Sequence, residues 1–298
     1  MKGRVLMRPK RIHIAAVLLA LSIIASITPT VRAAGEVCQI GSTLYMTLDD
    51  ALPAAADGDT IILLDDIDYS HGVSFVDKDI TFDLNGHNLN IVNSSGNGLF
   101  ANNSVIGIDT ADGGSFNVTG TTRGVMATLG AKVTVTNATA TSDSGAAVRT
   151  EFGAEITVQG DATATGAGSI GAFTEGGSIA VLGKAQGVGC GAVSYGAGSS
   201  VTVGGNAVAT GAGGIGAAAG DGGTITIDGE IQTTAIYIRI YSTDMVIGDV
   251  TLPTTKEGYS TYSGGSPIST VWVKMPTCEI VGGAQYVSLA DALLDANN

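Results

Sequence analysis

Between Gly124 and Asp228 the chain repeats itself about every 22 residues. The pieces AKVTV (131–135), AEITV (154–158), GSIAV (177–181), SSVTV (199–203) and GTITI (223–227) are one short strand written five times. Their first apolar residues, Val133, Ile156, Ile179, Val201 and Ile225, are separated by steps of 23, 23, 22 and 24. Each copy follows a turn: LG (129–130), FG (152–153), EG (175–176), AG (197–198) and DG (221–222). Within a copy, apolar residues alternate with Thr134, Thr157, Ala180, Thr202 and Thr226, which is the period of a strand with one buried face. A strand this short cannot bury that face alone, whereas stacked copies bury it and pair every backbone amide and carbonyl. A second half-coil recurs as GAAV (145–148), IGAF (170–173), CGAV (190–193) and IGAA (215–218). The spacing predicts an all-β fold: a right-handed parallel β-helix, or solenoid, of about 22-residue coils with a short N-terminal capping helix. About nine or ten coils at ~4.8 Å each would make a rod of roughly 45–50 Å.

Residues 1–33 read as an export signal, with a basic head (Lys2, Arg4, Arg8, Lys10, Arg11), an apolar run from Ile14 to Ile27, and Val31-Arg32-Ala33. Cleavage is expected after Ala33, because the apolar run is shorter than the ~20 residues of a bilayer span. Removing it leaves 8 of the 14 basic residues against 27 acidic ones, a net charge of −19. Such a chain repels nucleic acid and anionic membrane, so neither is expected as a partner. Three distant cysteines, Cys38, Cys190 and Cys278, make no disulfide framework, and Cys190 reads as a small core residue.

Before the repeat, YMTLDDALPAAA (45–56) predicts the cap, at about 44–57. Thr47 and Asp50 form a capping box, and Leu48, Ala51, Leu52 and Ala55 form an apolar stripe. The strands DGDTIILLDDI (57–67) and KDITFDL (78–84), closed by Asn85-Gly86, open the solenoid. Its domain is placed at 34–276, with irregular final coils at about 236–276 that include IYIRI, DMVIGDV and TVWVK. The cap, DGDTIIL (57–63), ITFDLNGHNLNI (80–91) and the coil repeat resemble the right-handed parallel β-helix superfamily of pectate lyases and related secreted bacterial surface proteins. The resemblance implies architecture; catalytic and non-catalytic members share these features.

CEIVGGAQYVSLADALLDANN (278–298) matches CQIGSTLYMTLDDALPAAADG (38–58), Cys278 on Cys38 and Tyr286 on Tyr45. Residues 277–298 are therefore expected to begin a second, truncated copy, as in a longer chain of tandem modules.

An enzyme on this scaffold needs carboxylates and a base gathered in one groove. The sequence offers Asp65-Asp66 and Asp68 at a strand end, Asn85-Gly86-His87, and Arg239. Asp112, Glu175 and Asp221 each precede Gly-Gly at what reads as one corner, and they suit turns. The regular coils hold only Arg149, Glu151, Asp161 and Lys184 outside turns and strand starts, at places that stacking is not expected to gather. His71 and His87 are the only histidines beyond the signal, too few for a histidine metal site. N-x-S/T at Asn93, Asn102, Asn117 and Asn137 is expected by chance in a sequence so rich in Ser, Thr and Asn. No catalytic, cofactor-binding or metal residue is assigned, and no cofactor is expected. The expected function is a secreted or cell-surface, non-catalytic module, adhesin-like or a structural spacer, with a surface glycan or host protein as partner. A polysaccharide lyase or glycoside hydrolase acting on acidic polysaccharide is the alternative.

Overall fold

Alternating β-branched residues with turn pairs every two dozen residues force strand on strand, and the backbone does this. The computed structural model describes residues 35–275 and two short strands, Cys278–Glu279 and Gln285–Tyr286. The export-signal reading of 1–33 and the second cap helix lie outside the described residues. The chain divides after Gly35, and every described strand belongs to the unit from Glu36 on.

The repeat strands Lys132–Val135, Glu155–Val158, Ser178–Val181, Ser200–Val203 and Thr224–Ile227 pair in parallel, each on the next. Their predicted inward residues, from Val133 to Ile227, are all at most 2% exposed. Thr134, Thr157, Ala180, Thr202 and Thr226 stack into a row on the outer side. The predicted turns carry left-handed backbone, as at Leu129-Gly130, Phe152-Gly153 and Asp221-Gly222.

The result is a parallel β-solenoid with three faces. The first face has 12 strands, the second 8 and the third 9. Eight complete coils give one strand to each face, from the coil opened by Asp59–Leu63 to the coil closed by Ile236–Ile240, against the nine or ten expected. Coil length varies along the solenoid, and the first step of the first face, from Asp59 to Ile80, is 21 residues. In the early coils, where Ile80 pairs with Ile106 and Ile106 with Val133, the steps are 26 and 27 residues. There the interior holds Phe75, Phe82 and Phe116, with ring centroids 6.3 and 5.2 Å apart. In the regular coils Ala138, Ala162, Ala185 and Ala207 line the second face, and the steps fall to 22–24. The second and third faces there approach so closely that a Cβ on Gly171 or Gly191 would sit 2.6 Å from backbone atoms of a neighbouring strand. In the second half-coil repeat IGAF, CGAV and IGAA stack in the predicted register, and only the first copy, GAAV, is shifted by one residue. Ala146, not Gly145, stacks on Ile170, Cys190 and Ile215, because Gly145 belongs to the preceding turn.

The ends are closed by antiparallel pieces, which blunt the open edges. At the start, the hairpin Cys38–Ile40/Thr43–Tyr45 adds to Asp59–Leu63, and the helix Leu48–Ala54 buries Leu48 and Ala51. Thr47 caps the helix: its Oγ1 accepts from Asp50 N at 3.1 Å and donates to Asp50 Oδ2 at 2.7 Å. At the far end, Ser269–Lys274 continues the first face in parallel, and Tyr259–Gly264 returns antiparallel on it. Tyr262 fills that end and donates to Ile247 O at 2.8 Å. DMVIGDV is no coil: Thr243–Met245 folds back antiparallel on Ile236–Ile240. Cys278–Glu279 pairs antiparallel with Gln285–Tyr286, Cys278 opposite Tyr286, as Cys38 lies opposite Tyr45. The two segments aligned by sequence thus share a hairpin.

Ile179→Asp places a carboxylate in the core with no partner and is expected to lower stability by several kcal/mol, on the order of 3–5. Thr202→Asp on the outer row is expected to cost less than about 1 kcal/mol. Thermal melting checks this, and equal losses would mean the faces are reversed.

Candidate outer binding strip

The residues singled out for chemistry are held apart. Asp66 and Asp68 open the second face in the first coil, whereas Arg239 lies on the third face in the last. Asp66 accepts Asn88 N at 2.8 Å and lies 3.7 Å from His87 Nδ1. The Asn88 amide first, then its side chain and His87, hold the Asp66 carboxyl below the usual carboxylate range. Asp68 begins an amide ladder: Asn90 Nδ2 donates to it at 2.9 Å, Asn117 Nδ2 to Asn90 at 2.9 Å, and Asn137 Nδ2 to Asn117 at 2.8 Å. The same row continues as Asp161, which accepts Lys184 N at 2.9 Å, and Asn206, which accepts Glu230 N at 2.9 Å. Two of the four N-x-S/T asparagines, Asn117 and Asn137, are therefore engaged in the ladder, and a third, Asn93, donates from Nδ2 to Asn97 O at 2.7 Å. Arg239 donates to Asp244 at 2.6 and 3.1 Å.

Two expectations need correction. Asp112 is not at the corner of Glu175 and Asp221: it precedes the second-face strand Ser115–Gly120, whereas they precede first-face strands. Gly-Gly marks a sharp turn, not a particular corner. Stacking also does gather the charges of the regular coils. Arg149 Nη2 is 2.6 Å from Glu151 and 3.2 Å from Glu175, and Lys184 Nζ is 3.7 Å from Asp161. Asp161 and Lys184 directly precede the paired Ala162 and Ala185, and Glu151 pairs with Glu175 across one coil step, so stacking itself makes these contacts.

The feature that the sequence pattern did not reveal lies on the outside of the third face. Its inward rows, such as Val148, Ala172, Ala192, Ala217 and Ile238, belong to the main core. The alternate outward rows are apolar too. Cys190, Val193 and Ala218, with Ile170, Phe173, Tyr195 and Ile215, form a second hydrophobic cluster outside that core. Cys190 is buried, at 5% exposure, but in this outer cluster and not in the core as expected. The pairs Ile170 and Phe173, Cys190 and Val193, and Ile215 and Ala218 each bracket a Gly-Ala pair, so both parities of these strands reach the outer cluster and strict alternation does not sort them.

Arginines rim this cluster. Met126, Arg149, Phe173, Val193, Ala218 and Arg239 form one outward row, with Arg123 at the head of the next. Arg123, Arg149 and Arg239 are all the arginines of the described residues. Arg149 lies 4.5 Å over the Phe173 ring, and Phe173 meets Tyr195 edge-on at 6.4 Å. Burial first, then the charge of Arg149, pulls the Arg123 guanidinium below its ordinary pKa. On a chain of net charge −13, this strip is locally balanced, aromatic and apolar. Such an arrangement can offer stacking, apolar contact and guanidinium hydrogen bonds. Among the described residues no group of three or more His, Cys, Asp or Glu is placed to hold a metal ion.

Comparison with protein families, curated proteins and solved structures finds no match for this chain.

Burial pushes the thiol of Cys190 up to about 12 and that of Cys38 up to about 11, from an ordinary 9.0. Both are expected to resist iodoacetamide at pH 8 in the native protein and to react fully in denaturant, read by peptide mapping. A raised folded pKa means that this contribution to stability is complete below pH 9.0 and lost as pH climbs towards 11–12. Native-state labelling of Cys190 would place it in an open cleft instead.

Proposed function

We propose that this is a secreted or cell-surface, non-catalytic β-solenoid module that holds a surface glycan or host protein against its third face. The observation that carries the reading is the outer apolar cluster with its arginine rim, which lies outside the core that folds the chain. The partly exposed Ile170, Phe173, Tyr195 and Ile215 surround the buried Cys190, Val193 and Ala218, and such aromatic and apolar side chains beside arginines suit contact with a partner. A spacer role is compatible with it, because stacked coils extend in one direction and the antiparallel pairing of Cys278–Glu279 with Gln285–Tyr286 matches that of the strands that begin the solenoid. The charge inventory also supports binding over bond cleavage. Glu151 and Glu175 are both tied to Arg149, Arg239 is tied to Asp244, and Asp66 and Asp68 serve the amide rows. A general acid or base must be free to exchange its proton with substrate.

Two measurements test the reading. Residues 34–276, incubated with Ca²⁺ and pectin, alginate, heparin-like and neutral glycans, are expected to give no unsaturated products and no new reducing ends. Turnover abolished by Asp66→Ala or Arg239→Ala would overturn the non-catalytic reading. On a glycan array, Phe173→Asp is expected to weaken retention by roughly tenfold or more, the effect of a lost anchor residue. Equal retention by this variant and the wild type would remove the third face from the site.

A further inference from the structure

A second aromatic site lies on the outside of the first face, where the last strands carry Thr226, Tyr259 and Trp272. The ammonium of Lys256 sits 4.3 Å from the Tyr259 ring centroid and 5.6 Å from that of Trp272, and donates to Thr226 Oγ1 at 3.1 Å. Among the described residues Lys256 makes no ion pair. The adjacent carboxylate, Asp228, accepts from the Tyr259 hydroxyl. That bond orients the ring and adds negative charge behind it. The cation is thus held by two π faces and one hydroxyl.

Lys256 arrives on a strap. Thr251 N donates to Thr261 O at 2.7 Å and Thr255 N to Thr261 Oγ1 at 3.0 Å, and Trp272 Nε1 donates to Thr255 Oγ1 at 2.8 Å. The strap covers Thr261, which is fully buried, and leaves Lys256 itself half-buried. Two aromatic faces around a cation are the arrangement that recognises alkylated ammonium groups. A primary ammonium uses it less well, since most of its hydrogen-bond donors lose water there without gaining a partner.

We propose that Tyr259 and Trp272 form a binding site for quaternary ammonium groups, that Lys256 is its resident occupant, and that a free ligand competes with Lys256 for it. The resident cation lowers apparent affinity by the fraction of time the site is open. Removing Lys256 therefore exposes the intrinsic affinity.

Trp272 is the only tryptophan in the sequence, so tryptophan emission, excited beyond the absorption of the tyrosines, reports this site alone. The full chain, as wild type and as Lys256→Ala, is titrated with choline and with its neutral isostere 3,3-dimethylbutan-1-ol. The expected result is a saturable change with choline, at least roughly tenfold tighter in Lys256→Ala, absent with the neutral alcohol and lost in Lys256→Ala/Tyr259→Leu. A second readout needs no variant: choline is expected to speed tryptic cleavage after Lys256 in the wild type, with the midpoint of its fluorescence titration. No saturable response in Lys256→Ala, an equal response to the alcohol, or a cleavage rate indifferent to choline would each overturn the proposal.

Discussion

Every other feature depends on one constraint: each strand hydrogen-bonds in parallel to its equivalent one coil away, in the same register. Register in a sheet fixes which residues face inward, because a slip of one residue inverts both faces. With register fixed, Val133, Ile156, Ile179, Val201 and Ile225 become one buried row. The same stacking lets the interior change from the phenylalanine-filled early coils to the alanine-lined regular ones. The polar rows follow from the same stacking: Asn90, Asn117 and Asn137 can satisfy one another only because identical positions superimpose.

Stacking also explains why the surface is organised in stripes. A residue type repeated at one coil position becomes a line of that type along a face. The first face presents its threonine row, the second its amide ladder, and the third its apolar and arginine row. A stripe of this kind gives a ligand several like contacts in succession, which suits an extended partner better than a small molecule. The Lys256 strap departs from that logic. It lies where the repeat stops, at a place where side chains of unlike types meet once.

Much of the fold was legible in the sequence. The alternation in KVTV, EITV, SIAV, SVTV and TITI fixed strand, face and neighbour, and the Gly-containing turns fixed the corners between them. The capping box was legible at Thr47 and Asp50 because it is a local contact. The third face was less so. In GAF, GAV and GAA, apolar residues occupy both parities, and no period tells inward Ala172 from outward Phe173 without the register. The outer strip stays hidden in the sequence for that reason. The grouping of Arg149 with Glu175 is hidden too, because it depends on coil steps that vary by a residue or two. The closing strands read as coils in the sequence, since antiparallel return and parallel advance look alike in so short a stretch.

The central claim is that inward rows alone carry the fold, while the outer cluster of the third face is surface for a partner. Phe173 and Val181 test it most directly, because Phe173 is a partly exposed member of the outer cluster whereas Val181 is 0% exposed in the core. The measurement is the free energy of unfolding of Phe173→Asp and Val181→Asp by denaturant titration. The account predicts a loss of no more than about 1 kcal/mol for the first, whose side chain borders solvent, and several kcal/mol for the second. Equal, large losses would contradict it, because the outer cluster would then be part of what holds the solenoid together.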